Sequence, residues 1–329
     1  MTQSRQREGA AGGLDLARLR SMLVDAGPFA RVDVVDEVDS TNAALLAAEG
    51  SPDCAARLPH LSALLAEHQT AGRGRLERRW VSAQGSSVLV SVLLRPPPEP
   101  RLGLSWLPLA AGLATCRALA PFVPTRPRMV WPNDVVVRIG PAAPGQPVDV
   151  PGWGAMRKVA GILTEVCARP HPGKAMAPSG DTSRIPRPQQ LFGNREGRGA
   201  IVLGIGINVT QDAHHLPVPW AASLRTAGAP GADRNEVAIA TLMALARHYA
   251  AWEAGDPTLR PAIEARCVSV GDDVEAWAGG GARLRGRGLT LDDDGALVIA
   301  TTCGNRAVSA ADVRKIRHGR ADTRAPQEE

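Results

Sequence analysis

The chain has 329 residues, 44% of them hydrophobic, and a formal net charge of +5 at pH 7. This length and apolar content are typical of a globular protein with one large and one small domain, and they exclude a disordered chain. The positive charge favours acidic partners such as phosphates, but it supports nucleic-acid binding only weakly because a basic tail would produce the same value.

The cysteines and the N-terminus indicate a cellular compartment. The five cysteines are odd in number and form no CxxC pair, so neither a disulfide framework nor a zinc site is predicted. No apolar run reaches the roughly 18 residues that would suggest a membrane span, and residues 1–13 lack the apolar segment of a signal peptide. We therefore expect a soluble protein of the reducing cytoplasm.

The first half of the chain mixes helical and strand patterns. Ser40, Thr41 and Asn42 precede an alanine- and leucine-rich run and provide a capping signal for a short helix. In chain order the patterns predict a helix, a strand, that short helix, two strands and a long helix, at residues 14–23, 32–35, 43–48, 62–66, 88–94 and 104–119.

The second half predicts strands near 135–137, 159–166 and 200–209 and a strong helix over 235–253. Residues 140–154 and 170–199 are rich in Pro, Gly, Ser and Arg, which indicates mobile insertions between strands that would otherwise form hairpins. From residue 271 onward, short strands separated by glycine and aspartate clusters predict a small barrel-like meander.

The most informative segment is Trp-Pro-Asn-Asp at residues 131–134, which lies between apolar residues and a strand-like run of valines. Proline cannot donate to a sheet and biases its predecessor towards extended geometry, so the segment predicts a bend that enters a strand. An unpaired buried carboxylate would be costly, so Asn133 and Asp134 either lie in a solvated turn or face a ligand or a basic residue.

A second segment has the composition of an anion-binding loop. Residues 69–80 read Gln-Thr-Ala-Gly-Arg-Gly-Arg-Leu-Glu-Arg-Arg-Trp and hold four arginines spaced by glycines. Glycines allow the backbone to approach a ligand, while guanidinium groups bind phosphate or carboxylate. The loop lacks the Gly-Lys-Ser/Thr ending of P-loop NTPases. In isolation, a solvated basic loop or a nucleic-acid-binding arm is an equally good interpretation.

Three weaker signals each have an ordinary explanation. Ser40, Thr41 and Asn42 could form only a helix cap. Lys158 opens an apolar strand, and for a lone lysine extension to solvent is favoured over a charge placed in a pocket. The run Gly-Ile-Gly-Ile-Asn-Val at 204–209 lacks the third glycine of a dinucleotide fingerprint, so its glycines more plausibly let a strand pass close to a ligand or a packed neighbour.

Taken in this order, these segments together with Lys-x-x-Gly-Ile-Leu at 158–163 resemble the biotin–protein ligase family. The resemblance implies an α+β fold, in which a mixed-sheet catalytic domain similar to the class II aminoacyl-tRNA synthetase core precedes an SH3-like barrel. It places these two domains at residues 31–268 and 269–318, with an N-terminal extension at 1–30 and a disordered tail at 319–329. About 30 residues precede the first catalytic strand, so we expect the ligase-only type without an N-terminal DNA-binding domain.

The resemblance also implies a reaction and its partners. Such ligases activate biotin with Mg-ATP to biotinyl-5′-AMP and transfer biotin to one lysine of the carrier domain of an acyl-CoA carboxylase. We therefore expect biotin, ATP, Mg²⁺ with the nucleotide and a carrier domain as partners, with neither specific DNA nor a membrane, and a monomer or weak homodimer.

By the same resemblance, residues are assigned to three roles, and no metal ligand is expected from the protein. The catalytic candidates are Lys158, Arg75 and Asp134. The biotin-binding candidates are Ser40, Thr41, Asn42, Gln69, Arg73, Gly74, Arg75, Lys158 and Gly161. The candidates for ATP and the adenylate are Arg75, Arg78, Trp80, Asn133, Lys158 and Asn208.

Two residues depart from the family pattern, and two rival functions stay open. Val130 stands where the family usually has a lysine, and Glu77 stands where the arginine loop usually has glycine and could pair with a neighbouring arginine. A nucleic-acid-binding module would use the arginine loop and the basic C-terminal strands. Lipoate attachment is the nearer rival because that family shares the fold, although the glycine-spaced arginine loop favours biotin.

Overall fold

The computed structural model describes the chain from residue 13 onward, with several gaps. The described residues are 13–51, 53–97, 100–140, 145, 147, 149–167, 199–277, 283–310, 313 and 315–318. The predicted insertion at 170–199 therefore lies outside the described residues except for residue 199, and the predicted tail at 319–329 lies wholly outside them.

Seven strands form the first sheet, in the order β1-β2-β3-β7-β6-β5-β4. β1 and β2 pair in parallel, and all other neighbours are antiparallel, so the sheet is mixed as predicted. The strands are β1 (Arg31–Val38), β2 (Ser62–Gln69), β3 (Ser87–Leu94), β4 (Arg128–Val130), β5 (Asp134–Arg138), β6 (Met156–Cys167) and β7 (Ala200–Asn208).

The Trp-Pro-Asn-Asp segment forms a bend at the entrance to a strand, as predicted. It is the turn of a hairpin in which Val130 of β4 pairs with Asp134 of β5, and the Trp131–Pro132 peptide bond is cis. The strand before the bend, β4, was not predicted, because its three residues leave no periodic pattern. Asn133 therefore lies in a tight turn, and Asp134 is the first residue of β5.

Two long helices pack on the first sheet and on each other. α4 (Leu107–Leu119) follows a 3₁₀ turn at Leu104–Trp106 and is buried on nearly all sides. α5 (Arg234–Ala254) begins where the Asp233 side chain accepts a hydrogen bond from the Glu236 amide, and it ends at Gly255, whose positive φ of 66° suits glycine. The shorter helices are α1 (Leu16–Arg20), α2 (Thr41–Glu49), α3 (Cys54–Arg57) and α6 (Leu259–Glu264).

Five antiparallel strands form a second sheet in the order β11-β10-β9-β8-β12. They are β8 (Asp273–Trp277), β9 (Arg283–Leu291), β10 (Leu297–Thr301), β11 (Gly304–Val308) and β12 (Lys315–His318). This described part is an open antiparallel sheet, with β11 and β12 at its edges.

The hydrophobic core is continuous between the two sheets. Trp131 donates its indole N–H to the Gly295 carbonyl at 3.0 Å, and Trp106 donates to the Asp293 carbonyl at 2.8 Å. Both indoles are fully buried, so each hydrogen bond satisfies a donor that would otherwise be costly. The second sheet is thereby attached beside the turn that carries Asn133. Within the described chain, no helix combines the length and the apolarity needed to cross a bilayer.

Candidate active site

A cleft of about 630 Å³ lies where the N-terminus of α2, the arginine loop and strands β5, β6 and β7 meet. Two later parts of the chain also contribute to its walls, through Pro217, Val218, Trp220 and Ala221 and through Val313, Ile316 and Arg317. Every residue to which the sequence assigned a site role lines this cleft, and each role itself stays a prediction. These residues are Ser40, Thr41, Asn42, Gln69, Arg73, Gly74, Arg75, Arg78, Trp80, Asn133, Asp134, Lys158, Gly161 and Asn208.

One end of the cleft, the α2 end, is formed by Ser40, Thr41, Asn42 and Gln69. Ser40 caps α2, since its hydroxyl accepts a hydrogen bond from the Ala43 amide. The Thr41 amide and hydroxyl both donate to the Gln69 side-chain oxygen, at 2.8 and 2.9 Å. These polar groups are therefore held by the protein as well as presented to the cleft.

Ser91 and Glu165 complete the α2 end and were not identified from the sequence. The Ser91 hydroxyl lies 2.7 Å from the Thr41 hydroxyl and 2.5 Å from the Asn42 amide oxygen. The Asn42 amide nitrogen donates to one Glu165 oxygen at 2.8 Å, and Arg73 pairs with the other at 2.9 Å. Glu165 therefore connects the arginine loop to α2.

The glycines of β7 and β6 leave room for these side chains. A Cβ atom at Gly204 would lie 2.3 Å from the Asn42 amide oxygen, and one at Gly206 would lie 2.6 Å from the Trp80 indole. A Cβ atom at Gly161 would lie 3.1 Å from both the Lys158 side chain and the Trp80 ring. Of the two explanations that the sequence left open for the 204–209 glycines, the structure supports close packing against a neighbour.

The opposite end, the Lys158 end, is formed by Arg75, Trp80, Asn133, Asp134 and Lys158. The Lys158 ammonium lies 2.6 Å from an Asp134 carboxylate oxygen and 5.5 Å from the centre of the Trp80 ring. Its charge therefore points into the cleft, where a carboxylate and an aromatic face both stabilise it. The extension to solvent that a lone lysine favours is not what the structure shows.

Asn133 and Arg75 connect the Lys158 end to the C-terminal segment. Arg75 donates to the Asn133 amide oxygen at 3.2 Å and to the backbone carbonyls of Ala310 and Val313. The Asn133 side-chain nitrogen donates to the Ile162 carbonyl at 2.8 Å. Burial lowers the pKa of the Arg75 guanidinium, and the nearby Asp134 carboxylate opposes that shift. The group stays cationic at neutral pH because arginine does not deprotonate in proteins.

These contacts decide between the two explanations of the Trp-Pro-Asn-Asp segment. Asn133 bonds to Arg75 and Asp134 pairs with Lys158, so both polar side chains face basic residues inside a cleft. The side chain of Asp134 is 21% exposed, which leaves it accessible to a molecule bound there.

Trp80 and Asn208 differ in whether their side-chain polar groups have hydrogen-bond partners in the protein. The Asn208 amide donates to the Ala222 carbonyl at 3.0 Å and accepts from Gln211 at 3.3 Å. The buried Trp80 indole N–H has no hydrogen-bond partner among the described residues. An orphan donor beside a cleft is available to a ligand that carries an acceptor.

Other parts of the cleft wall come from segments that the sequence did not associate with it. Trp153 and Trp220 stack with ring centres 6.4 Å apart and planes 7° from parallel. Ile316 and Arg317 of β12 also line the cleft. Ser91 had a usable signal, because it is a hydroxyl inside the otherwise apolar run of β3, whereas the distant β12 residues had none.

Glu77 and Val130, the two residues that depart from the family pattern, differ in their environments. Glu77 and its neighbour Leu76 adopt positive φ angles of 59° and 54°, a region that favours glycine. Glu77 has no ion pair with a described arginine, and Arg73 pairs with Glu165 instead. Val130 is buried and lines the cleft beside Trp131.

Comparison with known proteins finds a family and two relatives with similar sequences. Residues 38–172 match the model of the biotin/lipoate A/B protein ligase family. The chain is 33% identical to the biotin–[acetyl-CoA-carboxylase] ligase of Mycobacterium tuberculosis over 92% of this chain and 96% of that protein. It is 28% identical to the ligase of the same name from Paracoccus denitrificans, over 84% of this chain and 96% of that protein.

The fold is also similar to a solved structure. The biotin protein ligase of Aquifex aeolicus, crystallised with biotin and ATP, superposes with a TM-score of 0.63 at 24% identity. The superposition covers 88% of this chain and 100% of that one. At this identity, the match shows a shared fold.

Proposed function

The chain belongs to the biotin–protein ligase family, and we propose that it activates biotin with Mg-ATP and transfers it to a carrier-domain lysine. The intermediate is biotinyl-5′-AMP, and the acceptor is the carrier domain of an acyl-CoA carboxylase. The observation that carries the proposal is the position of the Lys158–Asp134 pair, between a hydrogen-bonded α2 end and an end built from arginine and indole groups.

We assign biotin to the α2 end. The uncharged donors and acceptors of Ser40, Thr41, Asn42 and Gln69 suit the neutral ureido ring, which offers both N–H and C=O groups. Their mutual hydrogen bonds support this assignment, because groups held in place lose less entropy when a ligand binds. Arg73 and Gly74 belong to the loop that closes over the ligand, and the Glu165 contact holds that loop against α2.

The first step needs a cation more than a protein nucleophile. One oxygen of the biotin carboxylate attacks the α-phosphorus of ATP, and the bond from that phosphorus to the bridging oxygen breaks as pyrophosphate leaves. Two anions meet in this step, so the Lys158 ammonium reduces their repulsion and stabilises the charge that develops. The 2.6 Å contact with Asp134 holds the ammonium in place before the substrates arrive.

We assign the nucleotide to the Lys158 end. The Trp80 ring offers a face to adenine and an unpaired N–H, while Arg75 and Arg78 offer charge to the phosphates. Asn133 and Asn208 border the same space. The Mg²⁺ ion enters with the nucleotide as its counter-ion. Within the described residues, no group of three or more His, Cys, Asp or Glu side chains could hold a metal.

The second step transfers the acyl group. The neutral amine of the carrier lysine attacks the carbonyl carbon of biotinyl-5′-AMP, the bond to the phosphate oxygen breaks, and AMP leaves. The amine loses a proton in this step. Asp134 is the candidate that positions either Lys158 or the incoming lysine, since its carboxylate already contacts an ammonium in the cleft.

The finer domain assignment is also part of the proposal. We assign residues 31–268 to the biotin- and ATP-binding domain and residues 269–318 to an SH3-like domain, with strands β8 to β12 as its sheet. A cytoplasmic location and a monomer or weak homodimer complete this assignment.

Transfer of labelled biotin tests the proposal directly. The full chain is incubated with radiolabelled biotin, Mg-ATP and a biotin-free carrier domain, and pyrophosphate release is followed in parallel. We expect label on the carrier and one pyrophosphate per biotin. A chain that forms neither the adenylate nor labelled carrier would contradict the proposal.

Lipoate attachment and nucleic-acid binding are separated by calorimetric titration. We expect biotin to bind, lipoate to bind at least about tenfold more weakly, and duplex DNA to give no saturable heat at 0.15 M salt. Tighter binding of lipoate would move the substrate to the other branch of the family.

A further inference from the structure

A second hollow, of about 440 Å³, lies directly beside the cleft. It shares Val130 and Trp153 with the cleft wall, so the two spaces adjoin. Arg126, Arg128 and Arg138 line it, and all three are exposed. We call this space the arginine hollow.

The three arginines of the arginine hollow outnumber the carboxylates that line it among the described residues. None of its three guanidinium groups has a carboxylate within 4 Å among the described residues, whereas Arg20, Arg95 and Arg234 elsewhere are paired. Asp272 is the single carboxylate among the described residues that line it.

A fourth arginine adds to this charge. Arg266 donates to the carbonyl of Pro127, which lies between Arg126 and Arg128, at 3.4 Å. Burial lowers the pKa of its guanidinium, as do the charges of Arg126, Arg117 and Arg128, while Cys116 opposes the shift. Like charges held together without partners destabilise a free protein, so a surface that keeps them is suited to an anionic partner.

The hollow also has an apolar part, which indicates the kind of anion. Val130, Met156, Val268 and Val270 line it together with the arginines. A hollow with both apolar and cationic lining fits the side chains of an acidic protein surface. It fits the regular phosphate backbone of a duplex less well, because that backbone is contacted along an extended basic stripe.

We propose that the arginine hollow docks an acidic face of the carrier domain while the carrier's lysine enters the adjoining cleft. This inference rests on the proposed ligase function. A carrier that delivers its lysine to the Asp134–Lys158 pair must contact the protein around the cleft. The hollow adjoins the cleft, because Val130 and Trp153 line both, and it is therefore within reach of such a partner. The docking contact supplies affinity and orientation and takes no part in adenylate formation.

The test compares two triple variants. Arg126→Ala, Arg128→Ala and Arg138→Ala together remove the charge. The matched control replaces Arg247, Arg287 and Arg306 by alanine, which are exposed arginines away from the hollow with no ion pair among the described residues. Pyrophosphate release without carrier reports adenylate formation, and titration with biotin-free carrier domain reports KM and kcat for transfer. We expect the hollow variant to raise the carrier KM about tenfold or more with kcat and adenylate formation unchanged.

Two further measurements test the inference: the salt dependence of the carrier KM and the effect of a charge reversal. The wild-type carrier KM should rise with salt, and that dependence should flatten in the hollow variant, because screening acts on charges that the variant no longer has. A single reversal, Arg128→Glu, should raise KM in the same direction and serves if the triple variant unfolds. An unchanged carrier KM in both variants overturns the inference.

The failure of this inference is distinguishable from the failure of the proposed function. A wild-type chain that forms no adenylate fails in the first assay, before any carrier is added. A wild-type chain that biotinylates the carrier, with hollow variants that do so at the same KM, removes the docking surface alone.

Discussion

The α2 end and the Lys158 end of the cleft differ in how completely the protein bonds their polar groups. At the α2 end, Thr41, Asn42 and Gln69 each have a hydrogen-bond partner, and Ser91 and Glu165 connect them. At the Lys158 end, the Trp80 indole N–H has no partner among the described residues. One end is therefore complete within the protein, and the other has a donor left for a ligand.

The two ends also depend on different amounts of the structure. The α2 end is built from the first sheet and the helix beside it, whereas Arg75 at the Lys158 end bonds to Ala310 and Val313 beside the second sheet. A site built on adjacent strands of one sheet is rigid, because the strands hold its side chains in place. A site that spans two sheets can change its geometry when a ligand binds. We therefore expect substitutions at the two ends to affect different substrates.

The largest effect should come from Lys158→Ala. Without the ammonium, no positive charge reduces the repulsion between the biotin carboxylate and the α-phosphate. The rate of adenylate formation should therefore fall at least about 100-fold. The unfolding free energy should change by only about 1 kcal/mol, because the ion pair with Asp134 is partly exposed. Pyrophosphate release and denaturant unfolding measure the two quantities.

The control for this variant is Arg306→Ala, which removes an exposed cation of the second sheet. It should retain full activity. Near-normal pyrophosphate release by the Lys158→Ala protein would eliminate the proposed mechanism.

A paired glycine substitution sharpens the comparison of the two ends. Gly204 and Gly206 lie on one strand, and an added Cβ would displace Asn42 in the first case and Trp80 in the second. Gly204→Ala should raise the KM for biotin, and Gly206→Ala the KM for ATP, each by roughly tenfold, because a displacement near 1 Å disturbs alignment. Steady-state kinetics with each substrate varied in turn measures both constants.

Gly140→Ala is the matched control, since a Cβ there meets no atom within 4 Å. If both cleft variants raised the same KM, the assignment of biotin and nucleotide to opposite ends would be wrong.

A smaller effect is expected from Glu165→Gln. The Arg73 side chain is 49% exposed, so solvent screens its pair with Glu165, and loss of the charge should raise the biotin KM about two- to fivefold. Added salt should reduce the difference between variant and wild type. A double-mutant cycle with Arg73→Ala measures the coupling, and a coupling of zero would show that Glu165 does not hold the loop.

The smallest expected effect is the pH dependence of stability. It arises away from the cleft, so it should affect neither the α2 end nor the Lys158 end. Burial lowers the pKa of His248, which donates to the Ala244 carbonyl and accepts from Arg117, so the folded protein keeps it neutral. The unfolded chain takes up that proton near pH 6.5, so stability is constant above about pH 7.5 and falls as the pH drops below about 6.5.

Denaturant unfolding between pH 5.5 and 8 measures this slope, and His248→Gln should reduce it. No histidine is among the described residues that line the cleft, so adenylate formation per folded molecule should not follow the same curve. A slope that His248→Gln leaves intact would assign the pH dependence to another group.

The sequence was most informative where a pattern is local. Strands β1, β2, β3, β6 and β7 and helices α2, α4 and α5 were predicted to within a few residues, because burial imposes a period of two or about 3.6 on such elements. β4 and α3 were missed because three or four residues carry no period. The cis turn at Trp131–Pro132 was predicted only as a bend.

The chemistry of the site divides in the same way. Residue types and spacing, with the family resemblance, were enough to name the side chains that line one cleft. The sequence did not show which of these side chains contact each other. Glu165, for example, contacts Arg73 and Asn42 only because β6 lies beside α2 in the fold. The arginine hollow could not be predicted from the sequence either, because Arg126 and Arg266 are far apart in the chain.

What the sequence determined by itself was the fold class, the family and the set of groups available for binding, because these follow from local patterns and short motifs. The tertiary structure decided that Lys158 points into the cleft, that Trp80 keeps an unpaired donor and that Arg75 bonds beside the second sheet. These facts depend on which strands become neighbours, and hydrogen bonding and charge act through space over a few ångströms irrespective of separation along the chain.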